Sequence, residues 1–176
     1  DNIPCWQIQE AFNKAQREWV RRRVNGINQK KEGREASSQS MADLQHLLVT
    51  WESQFTDKQL YFESCDFPED YIIFARISAD AEGECCPPRR LTIYQAEESN
   101  VDVVLRDVNN NPNFDWAETF STLFNNKIRI YTDNKFKIVN PKVIYYRRPV
   151  SVQFKDCTDT ETGELSITDV ECEIGR

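Results

Sequence analysis

The chain has 176 residues, 39% of them hydrophobic and 29% charged, with a formal net charge of −7 at pH 7. This length can bury one core of ordinary size. The acidic balance argues against a protein whose whole surface grips nucleic acid, because such binding needs clustered Lys and Arg. No uninterrupted apolar run is long enough to predict a membrane-spanning helix or a signal peptide.

The N-terminal segment has the apolar spacing of an amphipathic helix. Its apolar positions recur at intervals of three or four residues: Ile8, Phe12, Ala15 and Trp19. Pro4 suits the first helical turn, and Gly26 predicts the end of the helix. The charged and small polar residues that follow predict an exposed link.

A second helix is predicted after this link, where Ser40 and Asp43 resemble a capping box. Its apolar stripe consists of Leu44, Leu47, Leu48 and Trp51. Two helices joined by a polar loop predict a helical hairpin, which we assign to an arm over residues 1–60. We expect the large aromatic residues Phe12, Trp19 and Trp51 to be buried within the hairpin or between subunits.

The middle of the chain reads as strands punctuated by turns. Residues 67–83 predict a proline-led turn followed by a strand, and residues 89–98 predict another strand. Ser99 with Asp102 predicts a short helix before Pro112. Asn125-Asn126 tolerates positive φ and predicts a tight hairpin turn. A second turn at residues 132–135 and a bend or edge at Pro141 extend the pattern into an antiparallel meander.

These elements predict an α+β fold in which the N-terminal helical hairpin packs with the antiparallel β meander. The predicted organisation is an arm at 1–60, a mixed domain with antiparallel strands at 61–155, and an acidic C-terminal segment at 156–176. The start at Asp1 without methionine predicts that the sequence is a fragment of a longer product.

The six cysteines include one adjacent pair, Cys85-Cys86, and no CxxC motif. Adjacent residues rarely supply two ligands to one tetrahedral zinc ion, so no metal site is predicted. We interpret the cysteines as reduced, mostly structural thiols of a reducing compartment.

The sequence predicts no catalytic residue and no cofactor. The lone His46 lies within DLQHLLV without a nucleophile motif, which favours a helix histidine over a catalytic one. Paired carboxylates such as Glu97-Glu98 are interpreted as solvated loop or cap residues. The glycine-rich nucleotide motifs and HExxH are absent from the sequence, so we expect a protein that is not an enzyme.

Basic residues cluster in two places, and two interpretations of them stay open. The candidate contact residues are Arg17, Arg21, Arg22, Arg23, Arg89 and Arg90. The favoured interpretation for the helix end is solvation with a favourable helix-dipole interaction. The functional interpretation is contact with an acidic neighbouring subunit or with DNA phosphate.

Several strings of this sequence resemble the head-to-tail connector ring proteins of tailed phages, most closely those of the crAss-like phages. The strings are EAFNKAQREWVRRR, YFESCDFPEDYIIFARISADAEGECCPPRRLTIYQAEESNVDVVL, NFDWAETFSTLFNNKIRIYTDNKFKIVNPKVIYYRRP and DVECE. The resemblance runs from about Ile8 to Glu173. It depends on the order and spacing of the strings and on no catalytic signature.

This resemblance implies a structural virion protein that forms a ring below the portal, made in the host bacterial cytoplasm. The implied partners are other copies of the chain in a twelve-fold ring, the portal protein, other connector or tail ring proteins, and passing double-stranded DNA. The family continues past the DVECE-like string, so the end at Arg176 predicts a shorter or truncated product. The alternative is a DNA-binding or regulatory module that uses the arginine-rich helix end.

Overall fold

The computed structural model describes residues 3–25, 42, 44–83, 86–157 and 168–174. The chain divides into two compact units, which we call the terminal unit and the sheet unit. The terminal unit comprises Asp1–Leu48 with Tyr146–Arg176, and the sheet unit comprises Val49–Tyr145. Each unit has its own hydrophobic core. In the described ranges, none of the helices combines the length and apolar character needed to cross a lipid bilayer.

The terminal unit is built on helix α1, Cys5–Asn25. The predicted first helix is therefore confirmed, whereas Gly26, its predicted end, lies outside the described residues. Val20 is fully buried and packs with Leu44 and Leu47, which precede and end a short 3-10 turn at Gln45–Leu47. Four further apolar side chains pack on this cluster: Trp19, Val24, Tyr146 and Ile174.

Polar side chains of α1 bind the segment that follows the last strand. Asn13 Nδ2 donates to Val152 O at 3.1 Å, and Val152 N donates back to Asn13 Oδ1 at 2.7 Å. Phe154 N donates to Gln9 Oε1 at 3.2 Å. The two side chains replace the hydrogen bonds that a neighbouring strand would give to this backbone.

A disulfide joins Cys5, at the start of α1, to Cys157, with the two Cα atoms 5.9 Å apart. The prediction of reduced thiols is therefore wrong for this pair. No local pattern indicated this disulfide, because the two residues are 152 positions apart. Among the described residues, Cys65, Cys86 and Cys172 are unpaired.

The sheet unit contains one eight-stranded mixed sheet. Its strands are β1 Leu48–Glu52, β2 Phe55–Asp57, β3 Tyr61–Ser64, β4 Tyr71–Gly83, β5 Arg89–Gln95, β6 Glu118–Phe124, β7 Lys127–Tyr131 and β8 Phe136–Arg147. The order across the sheet is β1-β8-β4-β5-β6-β7-β3-β2. β5 and β6 are parallel, whereas β4–β5, β6–β7, β7–β3 and β3–β2 are antiparallel pairs.

The sheet curls into a half-barrel because its two edge strands are neighbours in sequence. In a flat sheet, seven steps of about 4.8 Å would place the edges about 34 Å apart. The two residues that join β1 to β2 span at most about 11 Å between the strand ends. The curl encloses the core, which consists of Phe62, Ile77, Ala79, Ala81, Leu91, Ile93, Ile128, Ile130, Phe136, Ile138 and Val143.

The parallel pair requires a crossover, which we call the β5–β6 connection, residues 96–117. It contains a 3-10 turn at Glu98–Asn100 followed directly by helix α2, Val101–Arg106. The predicted short helix is therefore confirmed. None of the six residues of α2, all of them described, is buried.

The predicted fold class is wrong. Its first component, the N-terminal helical hairpin, does not form in the described residues. α1 is followed by β1 and β2 where the second helix was expected, and Trp51 lies on β1. The helical spacing of Leu44, Leu47, Leu48 and Trp51 was misleading, since the first two belong to the terminal core and Trp51 packs on the sheet core. The proposed cap residues Ser40 and Asp43 lie outside the described residues.

The predicted meander is also wrong, although its first hairpin is confirmed. Asn125 and Asn126 have φ of 48° and 58° and connect β6 to β7, with Phe124 paired to Lys127. β7 then pairs with β3, whereas β8 lies between β1 and β4. Pro141 lies inside β8, after Asn140 with φ of 50°, and so marks a bend in an inner strand.

Candidate interaction surface

Up to Gln16, helix α1 buries polar side chains and exposes apolar ones. Gln9 and Gln16 are buried beside Val20 on one face. The neighbouring face carries Ile8, 50% exposed, and Phe12, 42% exposed, together with exposed Ala15. We call Ile8, Phe12 and Ala15 the apolar stripe. The Ile8 and Phe12 side chains are already half covered, so covering the rest would contribute roughly 1 kcal/mol each. The stripe is therefore suited to contact with another surface.

Burying polar side chains on α1 also costs free energy. Gln16 Nε2 is buried and has no hydrogen-bond partner among the described residues, which costs roughly 1 to 3 kcal/mol. Turning the helix so that Ile8 and Phe12 point inward would break the hydrogen bonds of Gln9 and Asn13 described above. The orientation of α1 is therefore set by these polar contacts and by the Val20 cluster.

The four arginines of α1 form an arginine cluster near its C-terminal end: Arg17, Arg21, Arg22 and Arg23. Arg17 Nε donates to Asn13 O at 3.2 Å, and Arg22 pairs with Glu18 at 3.1 Å one helical turn away. The guanidinium carbon of Arg23 lies 5.1 Å from the Trp19 ring centroid. Arg17, Arg21 and Arg22 are exposed, so their charges are accessible to a partner.

The second arginine pair lies in the sheet unit, on β5. Arg89 Nη1 donates to Asp115 O at 3.0 Å and covers the Phe114 ring, with its guanidinium carbon 5.2 Å from the centroid. Arg90 pairs with Asp80 at 3.2 Å and also hydrogen-bonds Ser78. The structure thus gathers the α1 arginines on one helix and places Arg89 and Arg90 in the other unit.

The three aromatic residues expected on helical stripes have different environments. Phe12 is exposed in the apolar stripe. Trp19 is partly buried against the terminal core, and Trp51 is partly buried against the sheet core. Of the three, Phe12 is therefore the residue whose contact a neighbouring molecule could supply.

Sequence reasoning missed an ion-pair network in the sheet unit. Glu63 on β3 binds Arg129 at 2.9 Å and Lys127 at 3.2 Å, and Arg129 also binds Glu98 at 3.1 Å. The Arg129 hydrogen bond is the main cause that lowers the pKa of the Glu63 carboxyl. The sequence shows opposite charges on the segments that form β3 and β7, but no local pattern indicated that these two strands pair.

A cavity in the terminal unit was also missed. Its volume is about 530 Å³, and its described lining includes His46, Glu171, Cys172 and Glu173. Glu173 accepts hydrogen bonds from Arg147 at 2.8 and 3.1 Å and from Val150 N at 2.9 Å. The Arg147 hydrogen bond is the main cause that lowers the pKa of Glu173. Within the described residues, no group of His, Cys, Asp and Glu has the arrangement of a metal site.

Comparison with known proteins finds no matching family model and no matching curated protein. The resemblance to connector ring proteins therefore stays a prediction from the strings in the sequence.

Proposed function

We propose that this chain is a structural virion protein that forms a cyclic ring in the head-to-tail connector, below the portal. The observation that carries the proposal is the exposure of Ile8 and Phe12 on α1 while Gln9 and Gln16 are buried. A subunit that works as a monomer gains nothing from this arrangement, whereas a ring subunit covers the stripe on assembly. The resemblance stated above supplies the location in the virion.

The charge of the chain fits a conduit for genome DNA. A net charge of −7 makes the chain as a whole repel phosphate, so DNA would slide through the lumen without many tight contacts. In this role the arginine cluster serves contacts between subunits or with the portal and other ring proteins. The proposal includes no catalytic step and no cofactor.

The exposed guanidinium groups of Arg17, Arg21 and Arg22 favour a second candidate, a DNA-binding or regulatory module. A triple Arg→Glu variant at these positions separates the two functions. For a ring protein, the variant folds but assembles poorly; for a DNA-binding module, assembly is unchanged and DNA affinity falls together with its salt dependence. Lys137→Glu, an exposed change on β8, is the control.

Cryo-electron microscopy of phage particles that carry this chain tests the ring directly. We expect a cyclic ring, twelve-fold if it matches the portal, with the chain in every repeat. Particles without the chain, or with copies that make no repeated contact, would contradict the proposal.

A further inference from the structure

The structure points to the occupant of the apolar stripe: we propose that the β5–β6 connection of a second copy docks on it. The contact is heterologous, because it joins two different surfaces of the chain: the stripe lies in the terminal unit and the connection lies in the sheet unit. This inference rests on the proposed ring function and names the two surfaces that would form each subunit contact.

The surface offered by α1 is apolar at one end and basic at the other. Ile8, Phe12 and Ala15 lie within three helical turns, followed by the exposed guanidinium groups of Arg17, Arg21 and Arg22. α1 carries five basic and two acidic side chains. A matching partner therefore needs exposed apolar side chains next to carboxylates.

The β5–β6 connection has this composition. Val103 is 68% exposed, Val108 74% and Trp116 57%, so three large apolar side chains point to solvent. The connection contains five acidic residues, Glu97, Glu98, Asp102, Asp107 and Asp115, against one basic residue, Arg106. Of the acidic residues, Glu97, Asp102 and Asp115 are exposed, and the last two adjoin Val103 and Trp116 in sequence.

The connection is also held in a defined shape, which lowers the entropy lost on docking. Tyr94 Oη hydrogen-bonds Asn110 O, and Asn113 Oδ1 accepts from Asp115 N at 2.8 Å and from Trp116 N at 3.1 Å. Asp107 caps the loop by accepting from Asn109 N at 3.0 Å. The exposed valines are thus presented by an ordered segment with its backbone hydrogen bonds made locally.

Charge complementarity favours the β5–β6 connection of a second copy over its helix α1 as the occupant of the stripe. Two copies of α1 packed on each other would bring two arginine clusters together, and like charges at an interface are repulsive. An α1 surface against a β5–β6 connection pairs basic with acidic groups and covers apolar side chains on both sides. Because the two surfaces differ, each copy can bind one neighbour through its stripe and another through its connection, as a closed ring requires.

Two variants, each defective in one of the two surfaces, test the inference. The stripe variant, Ile8→Asp with Phe12→Asp, keeps an intact connection; the connection variant, Val103→Lys with Val108→Lys, keeps an intact stripe. We expect each variant alone to stay monomeric in sedimentation velocity, with the dissociation constant for self-association raised at least tenfold over that of the wild-type chain. Mixed in equal amounts, the two should form a one-to-one dimer and nothing larger, since one intact contact is left.

The control is Leu60→Lys, which places a charge on an exposed apolar residue of the sheet unit outside both surfaces. It should assemble like the wild-type chain, and circular dichroism should show that all variants fold. A wild-type chain that stays monomeric at millimolar concentration would overturn the inference, as would variants that assemble normally or a mixture without the dimer. A stripe variant that lowers the melting temperature of the monomer would show that the stripe is covered within the chain.

The outcomes separate this inference from the proposed function. A ring in phage particles whose subunits meet through other surfaces would overturn the inference and leave the function standing. A chain absent from phage particles would overturn the function, even if the mixed variants form the dimer in solution.

Discussion

Arg129 Nε on β7 lies 2.9 Å from Glu63 Oε2 on β3, and the same guanidinium group covers the rings of Tyr61 and Phe124. Both side chains of this ion pair are largely shielded from water, with 18% and 14% of their surfaces exposed. The pair joins two strands that are far apart in sequence, since β3 and β7 are separated by β4, β5 and β6 along the chain.

We expect Glu63→Gln to lower the free energy of unfolding by about 1 to 3 kcal/mol, because it removes the carboxylate that pairs with the shielded charge of Arg129 and with the more exposed Lys127. Urea denaturation measures the change. The matched control is Glu52→Gln, which removes an exposed ion pair with Lys142 and should cost less than about 1 kcal/mol. Equal effects of the two variants would contradict this account.

Two carboxyls predict a loss of stability in acid. The pKa of Glu63 and the pKa of Glu173 are both lowered in the folded chain, chiefly by hydrogen bonds from Arg129 and Arg147. Their stabilising contribution is therefore fully present above the unfolded pKa of about 4.3 and is lost as pH falls through the lower folded pKa. Thermal melts between about pH 6 and pH 2 should show the decline.

The control for this pH dependence is Glu69→Gln, an exposed carboxyl on the turn before β4. Glu63→Gln and Glu173→Gln should each make the melting temperature less dependent on pH in the acid range, whereas Glu69→Gln should leave the slope as it is. A slope that none of the variants reduces would mean that other groups cause the acid sensitivity.

Gly83, at the end of β4, has no room for a side chain. A Cβ atom built there would lie 2.9 Å from Phe114 Cζ, closer than real Cβ contacts. Because Phe114 packs against the core and under Arg89, we expect Gly83→Ala to destabilise the sheet unit by about 1 to 3 kcal/mol. Glu82→Ala, at the exposed neighbouring position, should be close to neutral in the same denaturation experiment.

The turn at Asn125-Asn126 requires positive φ at both positions. Asn126→Val should lower stability by about 1 to 2 kcal/mol, because a β-branched side chain is strained in the left-handed region. Asn126→Gly should be tolerated, since glycine adopts this conformation without a steric penalty. Unchanged melting of the valine variant would indicate that the turn adopts another conformation in solution.

The features that the sequence predicted correctly are local. The Asn125-Asn126 turn and the strands beside it depend on neighbouring residues, and so does the helix α1. The missed features depend on residues far apart: the pairing of β3 with β7, the position of β8 between β1 and β4, and the disulfide from Cys5 to Cys157. A residue such as Trp51 fits a helical spacing and a strand equally well, so its long-range partners decided the outcome.

The candidate surface was predicted only in part, because its orientation also depends on residues far apart in the sequence. The spacing of Ile8, Phe12, Ala15 and Trp19 predicts one apolar side of α1, and Trp19 does pack on the terminal core. The usual rule would turn Ile8, Phe12 and Ala15 inward as well, but they are exposed. The contacts that reverse it come from Val152 and Phe154, about 140 positions later in the chain. Periodicity identifies a stripe, whereas only the tertiary partners of Gln9 and Asn13 decide which way it faces.

The binding of α1 to the segment around Val152 also affects how the chain is made on the ribosome. Asn13 and Val152 are 139 positions apart, so at about 5 to 20 residues per second α1 is synthesised about 7 to 28 s before its partner. During this interval Val20 can pack on Leu44 and Leu47, but Gln9 and Asn13 lack their backbone partners and the Cys5 thiol has no Cys157 to pair with. The sheet unit can fold first, and the terminal unit is completed last.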